Sequence, residues 1–113
     1  MKRAKVVILA AGRGTRLGGN IPKPWVPIAG KPLLLHSLER LHSLRWVSAM
    51  VLVVDRPWLA RARALARSRR LRKVVRVVAG GGRRQDSVVN GVRALRPGRR
   101  GVVLIHDSAR PFP

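Results

Sequence analysis

The sequence predicts an α/β fold built on a parallel sheet, and three observations lead there. Short β-branched apolar runs recur along the chain, each run is continuous rather than alternating, and longer stretches with helical spacing separate them. A continuous apolar run suits a strand covered on both faces, as in a parallel sheet, and parallel neighbours need a crossover that a helix supplies. At 113 residues and 12.5 kDa the chain amounts to one domain with a modest core. Hydrophobic residues at 46% separate it from disordered chains despite a formal net charge of +21.

The first run, Val6 to Ala10, follows Met-Lys-Arg-Ala-Lys and superficially resembles a signal peptide. Its apolar part is only about seven residues and enters a glycine-rich turn, so a strand is the better reading. Next comes KPLLLHSLERLHSL, in which Leu34, Leu38 and Leu41 share one helical face with Leu35 beside them. Val47 to Val54 predicts the second strand, and RPWLARARALARSRRLR a helix with Trp58, Ala62 and Leu65 on its apolar stripe. Val74 to Ala79 is the third strand, and RQDSVVNGVRAL a third helix aligning Val88, Val92 and Leu95. Val102 to Ile105 is the fourth strand, expected to carry a bare edge with nothing packed beyond it. Strand and helix thus alternate in the βαβ pattern. No apolar stretch approaches the ~20 residues of a membrane span, and a cytoplasmic location is expected.

Composition narrows the chemistry. Twenty Arg and five Lys face four acids, Glu39, Asp55, Asp86 and Asp107, so any role for a carboxylate falls to one of those. The absence of Cys removes disulfides, thiolate zinc sites and cysteine nucleophiles, and His36, His42 and His106 lack metal-ligand spacing. The densest basic run, Arg56 to Arg76, holds nine cations. A solvated helix face is the preferred reading, because the arginines are not interleaved with aromatics and no nucleic-acid module surrounds them.

Three segments carry candidate chemistry. AAGRGTRLGGNIPKP, from Ala10 to Pro24, follows the first strand. Gly12 and Gly14 let the backbone turn so that amide N–H groups converge on phosphate oxygens, and Arg16 and Lys23 add cationic charge. The spacing is neither the dinucleotide fingerprint nor a P-loop. GGGRRQDSV, from Gly80 to Val88, closes the third strand and opens the third helix. Asp86 or Ser87 caps that helix, or the glycines admit a flat base or ribose that Arg84 and Ser87 hydrogen-bond; both readings stand. HDSARP, from His106 to Pro111, places Asp107 at the tip of a buried strand. There it is a candidate Mg²⁺ ligand on a nucleoside triphosphate, provided the fourth strand lies beside the first at a switch point. His106 reads as a packed neighbour, and Arg110 as a phosphate ligand or a partner of Asp107.

AAGRGTRL with Pro22-Lys23, then GGGRRQDSV, then HDSARPF, in this order and at these separations, resemble the N-terminal part of the 2-C-methyl-D-erythritol 4-phosphate cytidylyltransferase family. The resemblance spans nearly all of Val6 to Phe112. It implies a Rossmann-like nucleotidyltransferase fold, a three-layer sandwich of the nucleotide-diphospho-sugar transferase type, incomplete at the C-terminus, with residues 1–113 as the N-terminal portion of one domain. It further implies transfer of a cytidylyl group from CTP to the polyol phosphate with release of pyrophosphate, in isoprenoid precursor synthesis, with Mg²⁺ as the divalent metal.

By position in the motifs, Arg16 and Lys23 match the residues that steady the transition state. Asp107 matches the metal ligand, while Ala10, Ala11, Gly12, Gly14, Gly81, Arg84, Ser87 and Ser108 fall where CTP is held. Two positions depart from the pattern: Arg83 stands where an acid is common, and Pro24 where Gln is common. The family also implies a homodimer, whose dimerisation arm, like the residues that select the acceptor, falls beyond Pro113. The chain alone is therefore expected to bind CTP weakly and turn over nothing. Two other readings compete: a different polyol-phosphate nucleotidyltransferase, such as a ribitol-phosphate cytidylyltransferase, and a non-catalytic basic module that binds RNA. RRQDSV and HDSARPF weigh against the former, and specific nucleic-acid binding is not expected.

Overall fold

A computed structural model describes residues 3–11, 21–96 and 101–108. Gly12, Gly14, Arg16 and Arg110 lie outside this set. Four strands form one parallel sheet: β1 (Ala4–Ala10), β4 (Val47–Val54), β5 (Val74–Ala79) and β6 (Val102–Asp107), in the order β5-β4-β1-β6. A small antiparallel hairpin, β2 (Pro27–Ile28) and β3 (Lys31–Pro32), stands apart from it. Helices α1 (Leu33–His42), α2 (Leu59–Ser68) and α3 (Arg84–Leu95) occupy the predicted intervals. The last strand does lie beside the first, Ile8 opposite His106 and Leu9 opposite Asp107. Two strands run longer than the apolar runs suggest: β1 starts at Ala4, and β6 continues through Asp107, which becomes its final residue.

Alternation along β1 sorts the core into two layers. Val6, Ile8 and Ala10 face one side, where they join Leu34, Leu35, Leu38 and Leu41 of α1, Ala62 of α2, and Met50, Leu52 and Val54 of β4. Val7 and Leu9 face the other side with Val51, Val53 and Leu95 of α3. The result is helix, sheet, helix, a three-layer sandwich. Both central strands are buried almost throughout, and each such Val, Leu or Ile contributes roughly 1.5–3 kcal/mol on leaving water. The expectation of burial on both faces fails for β5 and β6, which form the sheet's two edges among the described residues. Val75, Val102, Leu104 and Ile105 are exposed, because an edge strand has a neighbour on one side only.

Helix α3 departs from its predicted stripe in an informative way. Its buried positions are Ser87, Gly91 and Leu95, with Val88 and Val92 only partly buried beside them. Gly91 is the reason: a Cβ there would collide with Val7 and stand 3.0 Å from Val53, so the helix backbone lies directly against β1 and β4. Gly91→Ala gains helix propensity, yet the overpacking should cost about 1–3 kcal/mol net, read as a lowered urea midpoint with an unchanged slope.

His42, in the last turn of α1, gives a pH signature. Burial holds its imidazole below the ordinary value of 6.5, and the Lys73 ammonium acts in the same direction. The unfolded chain therefore takes up a proton near pH 6.5 that the folded chain still refuses, so stability falls as pH drops below that value. His42→Gln should flatten this fall, measured as the melting temperature against pH between neutrality and mild acid.

Candidate functional site

The carboxyl ends of all four parallel strands lie at one edge of the sheet, and backbone bonds extend the pairing to their tips. Gly80 N–H donates to Val54 O at 2.8 Å, tying the glycine loop after β5 to the end of β4. Ser108 donates twice to Leu9 O, from its backbone N–H and from its hydroxyl, each at 3.0 Å, tying the turn after β6 to β1. Ala10, Ala11, Gly81, Ser87, Asp107 and Ser108 thereby share this edge. Ala10 ends β1 and is buried. A Cβ on Gly80 would stand 2.6 Å from the Ala11 side chain and 2.7 Å from Ser87 Oγ, so three segments distant in sequence meet around that glycine.

Helix α3 opens at this edge. Arg84 is its first residue, and the half-buried Asp86 side chain accepts the Arg83 backbone N–H at 3.2 Å and the Arg83 guanidinium at 3.3 Å. Asp86 thus caps the helix, as one of the two sequence readings holds, and its charge also suits the positive end of the helix. Arg83 stands in the capping position but has no acceptor to return, so only half of a reciprocal capping box is possible. Ser87 is buried, and its oxygen accepts the Gly81 N–H at 3.2 Å, which shapes the glycine loop and leaves the hydroxyl proton for another acceptor. Ser108 is the opposite case: its proton goes to Leu9 O, leaving only lone pairs for a ligand.

Asp107 is the last residue of β6, next to His106, whose imidazole is held below its usual value by burial while the Asp107 carboxylate pulls the other way. Asp55 immediately follows β4, so a second carboxylate stands at the same edge. No cluster of three His, Cys, Asp or Glu exists among the described residues. One or two carboxylates nevertheless suit Mg²⁺, which fills its remaining positions with water and substrate phosphates.

Lys23 reaches the edge by a route that periodicity does not reveal. It opens a single 3₁₀ turn, Lys23–Trp25, in which Pro24 and Trp25 are buried while the lysine stays partly exposed. Trp25 stacks on Trp58, ring centroids 4.9 Å apart and planes inclined by 19°. Trp58 closes a second 3₁₀ turn, Arg56–Trp58, directly after β4, and its N–H donates to Asp55 O at 2.8 Å. The lysine turn is therefore tethered to the tip of β4, at the same carboxyl end of the sheet as Asp107, although Trp25 packs on the α1 and α2 face while Asp107 is paired with Leu9, which faces α3. The only sequence signal for this contact is the concentration of two of the chain's three tryptophans in two short proline turns.

Open grooves lie elsewhere. One of about 330 Å³ runs between α2 and β5, lined by Arg63, Arg67 and Arg76 among others. Another of about 290 Å³ lies between β5 and α3, with Arg76, Arg93 and Arg96. Neither groove is lined by an aromatic side chain. None of the described helices is long and apolar enough to cross a membrane.

Comparison with known proteins agrees with this architecture. The profile of the 2-C-methyl-D-erythritol 4-phosphate cytidylyltransferase family matches residues 4–113. The enzyme of that name from Cereibacter sphaeroides is 45% identical over 106 residues, covering 94% of this chain and 46% of the relative. Its counterpart from Geobacillus thermodenitrificans is 39% identical over 108 residues, covering 96% and 46%. The chain thus spans about half the length of the curated relatives it matches. Among solved structures, 4-diphosphocytidyl-2C-methyl-D-erythritol synthase from Anaerococcus prevotii superposes with a TM-score of 0.75 at 24% identity, over 98% of this chain and 45% of that one. A second crystal structure of a synthase of that name gives 0.73 at 29% identity, over 97% and 48%.

The bond from Ser108 to Leu9 can be weighed separately from any ligand. Ser108→Ala removes one buried hydroxyl donor while the backbone N–H still satisfies Leu9 O. A loss of about 1 kcal/mol is expected, checked by chemical denaturation.

Proposed function

Because the chain belongs to the 2-C-methyl-D-erythritol 4-phosphate cytidylyltransferase family, we propose that its sheet edge is the CTP-binding part of a cytidylyltransferase. The observation that carries this reading is the convergence of Ala11, the Gly80–Gly81 loop, Ser87 and Asp107 at one edge, with the Lys23 turn tethered beside them. In this reading Ala10, Ala11, Gly81, Arg84, Ser87 and Ser108 hold the nucleotide, joined by Gly12 and Gly14. Lys23 and Arg16 face the triphosphate. The proposed partners are CTP and a polyol phosphate.

The proposed reaction needs no nucleophile from the protein. An oxygen of the acceptor's phosphate forms a bond to the α-phosphorus of CTP, the bond from that phosphorus to the bridging oxygen of the β-phosphate breaks, and pyrophosphate leaves with the electron pair. Charge builds on the phosphoryl oxygens, so the protein's work is to position the reactants and offset charge. Lys23 and Arg16 supply fixed cations, and the loop amides supply donors. Asp107 would hold a divalent ion, Mg²⁺ in the first instance, whose chemistry is to neutralise phosphate oxygens. Residues that select the acceptor fall, by resemblance, in the part of the relatives that this chain does not span.

Titration calorimetry with CTP and Mg²⁺ tests the reading. Saturable binding is expected; Lys23→Ala should weaken it about tenfold or more, equivalent to ~1.4 kcal/mol, and Asp107→Asn should abolish its dependence on Mg²⁺. Binding indifferent to both substitutions, alongside capture of mixed-sequence RNA with a steep salt slope, would favour the basic-module reading instead.

A further inference from the structure

We infer that Trp25, Trp58 and Arg61 form a clamp whose task is to hold the Lys23 turn in place at the sheet edge, making Trp58 a positioning residue for the lysine; its use with CTP rests on the function proposed above. A single 3₁₀ turn cannot hold itself. Its internal support consists of Trp25 N–H donating to Pro22 O at 2.9 Å and Val26 N–H donating to Lys23 O at 3.1 Å, and such short pieces persist only when tertiary contacts fix them. Pro22 and Pro24 narrow the backbone's choices and are both buried, and Leu33 N–H at the start of α1 donates to Val26 O at 3.0 Å, but neither contact reaches β4.

The tie is Trp25. It is 6% exposed and lies nearly parallel to the Trp58 ring, an offset stack of the favoured kind. The Arg61 guanidinium sits over the same Trp58 ring at 4.9 Å, a cation–π contact from the first turn of α2. Trp58 is itself rooted, through Asp55 O, at the end of β4, whose last five residues are buried. The clamp therefore connects Lys23 to one of the two most deeply buried strands, bridging two turns 33 positions apart between Trp25 and Trp58.

The arrangement matters because a lysine is a point charge on a flexible four-carbon stem. Its ammonium can be aimed only if the root of that stem is fixed, and positioning of charge is what phosphoryl-type transfer asks of a protein. Here the residues on the C-terminal side of Lys23, Pro24 and Trp25, are both buried, which fixes the root while leaving the lysine itself partly exposed.

The test uses the whole chain with Trp58→Leu, Trp58→Phe, Arg61→Met and Lys23→Ala. Stacked indoles give an exciton couplet in circular dichroism, hydrogen exchange at the Trp25 and Val26 amides reports the turn, and calorimetry with CTP and Mg²⁺ reports binding. Trp58→Leu should erase the couplet and speed exchange at those two amides about tenfold without changing the amides of β4. It should also weaken CTP binding to nearly the level of Lys23→Ala, with little further loss when the two are combined. Trp58→Phe should restore most of the binding. Arg61→Met should show a smaller change of the same sign, and it reports on the clamp even if Trp58→Leu fails to fold.

Unchanged exchange at Trp25 and Val26 after loss of the couplet would overturn the clamp whatever CTP does. Accelerated exchange with CTP binding indifferent to Lys23→Ala would support the clamp and remove the CTP reading. Accelerated exchange with binding lost in Lys23→Ala but intact in Trp58→Leu would overturn its positioning role.

Discussion

Parallel pairing on both sides of β1 is the constraint from which the remaining geometry follows. With β4 on one side and β6 on the other, residues that lie far apart in the chain, such as Leu9 and Ser108 at a separation of 99, become hydrogen-bonded neighbours at one edge. The register cannot drift. A slip of one residue would move Val6, Ile8 and Ala10 from the α1 and α2 layer into the α3 layer, where Gly91 leaves no room for the change. Packing in the two layers thus sets the position of Asp107, Ser108 and the glycine loop, although none of those residues belongs to the hydrophobic core.

What could be read from the sequence was what is local and periodic. The β4 and β5 runs, the leucine face of α1 and the apolar position of Ala62 in α2 each depend on spacing along one element, and the structure keeps them. What escaped depends on neighbours. A continuous apolar run looks the same in a central strand and at an edge, so the exposure of Val75, Leu104 and Ile105 followed only from the strand order. The β2–β3 hairpin does not stand out in the sequence because its strands have two residues each, and although Gly30 takes a φ of 80°, the turn's first residue, at a φ of 53°, is Ala29 rather than Asn or Gly. The Trp25–Trp58 contact joins two turns that no helical or strand period relates. At the candidate site, the motif residues that follow strand ends could be anticipated, whereas the support of Lys23 could not.

The charge imbalance has a local structure as well as a total. Glu39 is engaged with Lys31 at 2.7 Å, whose hydrogen bond holds the carboxyl below its usual range, and Asp86 is engaged with Arg83. Surface pairs of this kind contribute about 0–1 kcal/mol each, so they do little to offset repulsion among 25 cations. The other two acids, Asp55 and Asp107, follow or end strands at the candidate edge. A general excess of positive charge raises the local concentration of any polyanion, but screening limits its reach to about 8–10 Å at physiological salt. In the proposed function, discrimination of a triphosphate from other anions would therefore come from groups fixed at short range, which returns the weight to the roles proposed for the loop amides, Lys23 and Asp107.

The hydrogen-bond state of the edge residues also favours one kind of chemistry over another. Ser108 directs its proton to Leu9 O, and Ser87 receives the Gly81 N–H, so each hydroxyl is already engaged in shaping backbone. Burial holds the His106 imidazole below its usual value against the pull of Asp107. A serine nucleophile needs a hydroxyl whose proton can pass to a base; Ser108 directs its proton to Leu9 O, whereas Ser87 only accepts the Gly81 N–H and keeps its own. The set proposed above, Lys23 on its supported turn and the Asp107 carboxylate at a strand tip, suits instead the bringing together of two phosphate groups and the offsetting of their charge. That task is electrostatic, and it depends on how rigidly the groups are held. The tip bonds of the sheet and the stacked indoles beneath Lys23 are therefore part of the proposed site's chemistry as much as the charged groups themselves.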